Sequence, residues 1–198
     1  MKVGAFLFRG QPLHNSHLWV IKKAISENDI VCLVLGSSNR AYEKRNPFPI
    51  ELRHKMLNNV LSQLEELDGV NVTDKVKILE LPDWSSEDDL DSNKIWGHYL
   101  YYNIVRVIGQ SNFKLYYTDE PEIIKNWFDS EVSKNVTLEL IPREHILDGL
   151  SATKIREAIL SDSTSADSYL QKYLPKEVYK MVPDLRSILK EIKTWQEM

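Results

Sequence analysis

Cysteine is almost missing from this chain: there is one, Cys32, in 198 residues. A disulfide framework and a cysteine zinc site are therefore excluded, and Cys32, inside the apolar run Ile30–Leu35, reads as an inert buried thiol. Positive charge is not in excess. Lys plus Arg is 25 against 29 Asp plus Glu, a net charge of −4, which argues against a nucleic-acid or membrane-surface partner but leaves room for a local basic pocket around a small anion. No apolar run reaches the ~20 residues that span a bilayer. The first residues lack the apolar core and small-residue cleavage site of a secretory leader, so the expected location is the cytoplasm. Two further absences narrow the chemistry: neither the glycine fingerprint of dinucleotide binding nor a P-loop follows the first apolar run.

What is present is ordinary for a globular protein, with 42% apolar and 27% charged residues. The length suits one domain, read as an α/β core over 1–160 with a C-terminal helical extension over 161–198. Short apolar runs at Lys2–Phe8, Ile30–Leu35, Val76–Leu81, Phe113–Tyr117 and Val136–Ile141 read as strands. Helical periodicity falls between them, at Ser16–Ser26, Glu51–Leu67, Ile95–Ile108, Pro121–Ser130 and Thr153–Leu160. Ser85–Asn93 reads as an acidic loop and Ser161–Ser168 as a polar linker, with Pro175 near a later helix start. Strand–helix alternation predicts a Rossmann-like, doubly wound parallel sheet of about five strands. Such sheets bind ligands beyond the carboxyl ends of their strands, so the loop after the first strand is the first place to look.

That loop carries His14 and His17, three apart where a loop enters a helix, with Arg9 and Gln11 just before them. A helix N-terminus gathers unpaired N–H groups and partial positive charge, and imidazole donors there suit a phosphate. Two histidines beside a turn are unremarkable alone, and without a third ligand or an intervening Glu they make a weak zinc site. Later, Ser151, Thr153 and Arg156 stand at another helix start, where hydroxyls and a guanidinium can cradle polyphosphate, although capping alone would explain the hydroxyls. Asn46-Pro47-Phe48 precedes Arg53 at the start of a long helix. Asn93 ends the acidic loop and Trp96 follows in an aromatic-rich helical stretch, where packing alone would account for the tryptophan.

Together these elements resemble the nucleotidylyltransferase superfamily, and within it the archaeal-type nicotinamide mononucleotide (NMN) adenylyltransferases. Arg9, Gln11, Pro12, His14 and His17 match that family's first loop in register, Asn46-Pro47-Phe48 and Arg53 its second element, and Ser151, Thr153 and Arg156 its Ser-x-Thr-x-x-Arg. Asn93 and Trp96 match its Asn-x-x-Trp, and Tyr173-Leu174-Pro175 with Val178 its C-terminal helical cap. The likeness runs from about Val3 to about Leu185. The chain departs from the pattern in four places. Phe8 and Gly10 are swapped, Ser16 replaces the glycine between the histidines, Ala152 replaces Ser or Gly, and the loop from Asp83 to Asn93 is long and acidic.

The resemblance implies transfer of AMP from ATP to NMN, giving NAD and pyrophosphate, with Mg²⁺ carried on the ATP oxygens. It implies that His14, His17 and Arg156 act on the reacting phosphates. Arg9, Gln11, Arg53, Ser151 and Thr153 would bind ATP, with Arg9 and Arg53 clamping phosphates across the cleft, and Asn93 and Trp96 would receive the nicotinamide nucleotide. Two other readings remain at this point: a relative acting on pantetheine phosphate or on a polyol phosphate with CTP, and a nucleotide sensor that has lost catalysis, suggested by Ser16. ATP and NMN are the expected partners, without nucleic acid or membrane; a homo-oligomer is left open.

Overall fold

The computed structural model describes residues 1–83, 90–118, 124–142, 146 and 150–197. Five strands, β1 (Val3–Phe8), β2 (Ile30–Leu35), β3 (Val76–Glu80), β4 (Phe113–Tyr117) and β5 (Val136–Leu140), form one sheet in the order β3-β2-β1-β4-β5. Every neighbouring pair is parallel. Among the described residues the α-helices are α1 (Asn15–Glu27), α2 (Ile50–Asp68), α3 (Leu90–Ile108), α4 (Ala152–Leu160), α5 (Thr164–Tyr173), the single turn α6 (Lys176–Tyr179) and α7 (Val182–Glu197). The expected doubly wound α/β sheet is the observed one.

The period of two within the strands decides which helix packs where. Phe6, Phe8, Val31, Leu33, Leu35 and Tyr116 face a core shared with α1, α2, α4 and the later helices. Val3, Ala5, Cys32, Val34 and Leu115 face a second core closed by Leu100 and Ile104 of α3. Leu170, Leu174, Val178 and Leu185 of the C-terminal helices join the first core, alongside Ile155 and Ile159 of α4. Cys32 is fully buried, and burial pushes its thiol up to about 12, so it carries no thiolate chemistry at neutral pH.

Three sequence expectations are corrected. The supposed linker is mostly helix: Ser163 caps α5 by accepting a hydrogen bond from the N–H of Ala166 at 3.2 Å, so that serine is cap chemistry. The helix expected over 121–130 lies outside the described residues up to 123, is helical at Ile124 and Lys125, and turns from 126. The Asp129 carboxylate accepts from the N–H groups of Glu131 and Val132, at 3.0 and 2.9 Å, and so starts the 3₁₀ turn Val132–Lys134 instead of continuing a helix. Finally, α3 begins at Leu90, so part of the acidic loop is its first turn; 84–89 lie outside the described residues.

Candidate active site

At the carboxyl ends of β1 and β4, where strand order reverses, lies a cavity of about 550 Å³. Arg9, Gln11, His14, His17, Trp96, Ser151, Thr153 and Arg156 all line it. Residues up to 147 positions apart in sequence are thus gathered in one space. Asn93 and Arg53 are not among the described residues lining it.

The first wall is the start of α1. His14 is the residue before the helix, and its backbone N–H donates to Nδ1 of His17 at 3.3 Å. With Nδ1 accepting, the neutral His17 ring carries its proton on Nε2, which makes Nε2–H a donor. The two imidazoles stack with centroids 3.8 Å apart, as spacing of three on one helix face predicts. Phe8 backs this pair, its ring 5.2 Å from that of His17 and 4.8 Å from that of Phe6. That contact accounts for one half of the Phe8/Gly10 exchange. The other half is backbone geometry: Gly10 has φ of +62°, a left-handed conformation that glycine adopts without strain.

The second wall is the start of α4. Ser151 caps it, its Oγ accepting from the N–H of Lys154 at 3.4 Å. Arg156 reaches across the molecule. It donates through Nη1 to the carbonyl of Gln11 at 2.8 Å and through Nη2 to Thr153 Oγ1 at 3.2 Å. Burial lowers its pKa, and the neighbouring positive charge of Arg9 lowers it further. The guanidinium remains charged at any ordinary pH, so this corner holds crowded positive charge whose acceptors in the protein are neutral.

Two residues expected to touch ATP are engaged otherwise. Arg53 is 1% exposed and donates to three carbonyls, those of Arg9 at 2.9 Å, Gly36 at 2.8 Å and Ser37 at 2.9 Å. A phosphate clamp must reach the cleft, and this guanidinium is instead the bolt joining the loops after β1 and β2. Gln11, 2% exposed, donates through Nε2 to the carbonyl of Phe48 at 3.0 Å and accepts from its N–H at 2.8 Å. Its amide therefore pins the first loop to the Asn46-Pro47-Phe48 turn, and what it offers the cavity is position. Asn93 is half-buried one helical turn before Trp96, which lines the cavity where Asn93 does not.

The third wall is aromatic. Trp96 and Trp127 meet edge to face, centroids 6.3 Å apart at 82°, and both line the cavity. This meeting depends on Gly97: a Cβ there would lie 1.8 Å from the carbonyl oxygen of Trp127. A glycine inside a helical pattern costs about 1 kcal/mol against alanine and so signals a packing need, which was the clue available in the sequence. Trp127, Arg45 and Asp83 also line the cavity and were not singled out. Arg45 adds a cation next to the Asn46-Pro47-Phe48 turn. The Asp83 carboxylate is already met by Nε of Arg40 at 3.4 Å.

Residues 8–158 match the family model described as cytidylyltransferase-like. The nicotinamide-nucleotide adenylyltransferase of Thermococcus onnurineus is 25% identical over 187 residues, covering 94% of this chain and 85% of that protein. The protein of the same name from Saccharolobus solfataricus is 26% identical, covering 94% and 92%. Among solved structures, a bifunctional NMN adenylyltransferase/ADP ribose pyrophosphatase from Francisella tularensis, complexed with AMP and a manganese ion, superposes with a TM-score of 0.61 at 16% identity. This chain spans only 56% of that one. The nicotinic acid mononucleotide adenylyltransferase of Plasmodium falciparum, complexed with NaAD, gives 0.56 at 13% identity and is covered over 97% of its length. At these identities the structures speak for the fold.

Proposed function

The chain belongs to the cytidylyltransferase-like family, and from that premise we propose that it transfers the AMP of ATP to nicotinamide mononucleotide, releasing NAD and pyrophosphate. The observation that carries this reading is the union, in one cavity, of a cationic wall at two helix starts and a tryptophan face. The names of relatives aligned over more than nine-tenths of the chain support it.

In the proposed reaction a 5′-phosphate oxygen of NMN attacks the α-phosphorus of ATP in line. A bond forms between that oxygen and the α-phosphorus, the bond to the bridging oxygen of the β-phosphate breaks, and pyrophosphate leaves. Such a transfer asks for position and for positive charge where negative charge spreads, not for a protein nucleophile. His14, His17 and the N–H groups opening α1 hold the α- and β-phosphates. Arg156, with Ser151 and Thr153, holds the β/γ side, and Arg9 faces it. Arg53 and Gln11 act one step back, fixing the loops from which those groups project. Trp96 offers its indole to the cationic nicotinamide ring, an attraction of ~0.5–2 kcal/mol, with Asn93 one turn away for the carboxamide.

Mg²⁺ enters as part of the nucleotide substrate, where it neutralises polyphosphate charge. Among the described residues no group of three or more His, Cys, Asp or Glu could hold a metal by itself, and a wall of arginines, imidazoles and hydroxyls fits a metal carried on phosphate oxygens. No described helix is long and apolar enough to cross a membrane.

The test is direct. Purified protein with Mg²⁺, ATP and NMN should form NAD, whereas pantetheine phosphate in place of NMN, or CTP in place of ATP, should give no product. Turnover with either control substrate and none with NMN would overturn the assignment of the acceptor. Nucleotide binding without any turnover would favour a sensor.

A further inference from the structure

Ser16 stands between the two histidines, at the second position of α1. It is 9% exposed, and its Oγ is closed off from solvent without a hydrogen-bond partner among the described residues. The same residue lines the cavity together with Phe8, His14 and His17. A buried hydroxyl left unbonded destabilises a fold, because it has given up water and gained nothing. Alanine or glycine would fit the same space without that cost. Along α1 the residues on the same buried face, Val20 and Ala24, are apolar, so the hydroxyl is out of keeping with its row. Packing therefore does not explain it.

The position suggests what does. The first N–H groups of α1 have no intrahelical acceptor, and the positive end of the helix dipole lies there. In that field the oxygen of a hydroxyl turns toward the helix N–H groups and its hydrogen turns outward, toward an acceptor carrying negative charge. Arg9, Arg156 and the histidines mark the same space as one for an anion. We propose that Ser16 Oγ–H donates a hydrogen bond to a phosphate oxygen of the bound nucleoside triphosphate, so that this buried hydroxyl is a binding residue. The proposal rests on the adenylyl-transfer reading for the identity of the ligand. It adds to that reading a residue at which this chain departs from the glycine of the resembling family.

The experiment uses the full chain and two variants, Ser16→Ala and Ser16→Gly. Thermal unfolding without ligand is measured first, then calorimetric titration with an α,β-methylene analogue of ATP, then turnover with ATP and NMN. Ser16→Ala should unfold at the parent temperature or above it and bind the analogue ~10–100-fold more weakly, the usual worth of a hydrogen bond to a charged group. Ser16→Gly should show the same loss in affinity. Parent affinity in both variants would overturn the proposal. So would a fall in unfolding temperature with affinity unchanged, which would mark a hydroxyl used for the fold. If the parent binds the analogue but forms no NAD, the adenylyl-transfer reading fails while the Ser16 result still stands or falls on affinity; if the parent does not bind the analogue, both fail.

Discussion

The two ends of α1 carry charge in opposite ways. At the start of the helix Arg156 gives its hydrogen bonds to a carbonyl and a hydroxyl, beside the like charge of Arg9. Toward its other end Lys23 and Glu27 join Lys114 and Glu139 from β4 and β5. Lys114 lies 2.7 Å from Glu139 and 3.2 Å from Glu27, Lys23 lies 3.1 Å from Glu139 and also pairs with Glu27, and the Tyr116 hydroxyl donates to Glu27 at 2.7 Å. There each cation has its carboxylate, and the charges tie α1 to the sheet. Charge matched inside the protein serves the fold. Charge met only by neutral groups leaves a place for a partner from outside, and under the proposed adenylyl transfer that partner is a phosphate at helix N-termini.

Removing a donor from the unmatched end should have the largest effect on turnover and little on stability. His17→Ala should lower turnover ~10²–10³-fold, the loss seen when one preorganised donor to developing charge is deleted. Its unfolding temperature should stay close to the parent's. Near-normal turnover in initial-rate measurements would break the comparison at its functional end.

Arg156→Lys keeps the charge but loses the planar fork that serves Gln11 and Thr153 together. The half-saturating ATP concentration should rise roughly tenfold, and excess ATP should restore part of the rate. An unchanged ATP dependence would reduce Arg156 to a strut between α4 and the first loop. Trp96→Ala should act on the other substrate. Titration of NMN should show ~2–30-fold weaker binding, the range of a cation–π contact, while an ATP analogue binds as before. Equal losses for both ligands, together with lower thermal stability, would make Trp96 packing alone.

How much of this was open to the sequence follows from distance along the chain. The strands and α1 were legible because periodicity is local, and His14, His17, Ser151, Thr153 and Arg156 because each motif sits within one helix start. Long-range bonds were not legible. Nothing near Arg53 in sequence says that its guanidinium will close on the carbonyls of Arg9, Gly36 and Ser37, and Gln11 pairs with Phe48 across 37 positions. Both residues carry polar groups that suit phosphate equally well, and only the fold decides the use. Trp127 escaped notice because its neighbour Trp96 is brought to it by the absence of a side chain at Gly97. The network at the far end of α1 escaped for the same reason as Arg53: Glu27 and Lys114 are 87 positions apart.

The matched end yields the smallest effect, and that effect should depend on pH. Glu27 is held down to about 2, from 4.5, chiefly by its hydrogen bond with Lys23 and next by that from Tyr116, against a burial cost. A carboxyl depressed in the fold contributes stability that is fully present above its unfolded pKa, and that stability drains away as pH falls from there through the folded value. The window is therefore about pH 5 down to about 2. The side chain is 33% exposed, so solvent screening limits the network's worth to ~1 kcal/mol, or ~2–4 °C in unfolding temperature for a chain of this size. Glu27→Gln should unfold a few degrees below the parent at pH 7, and the gap should close as the parent loses stability on acidification, because glutamine has no proton to take up. Raised salt should narrow the gap at pH 7 as well. Turnover at pH 7 should not change, since Lys23, Glu27, Lys114 and Glu139 are not among the described residues lining the cavity, and Tyr116, which is, keeps its ring in place. A gap constant between pH 7 and pH 3, measured by calorimetric unfolding, would mean that shape and not charge holds this end of α1, and the contrast between the two ends would lose one of its terms.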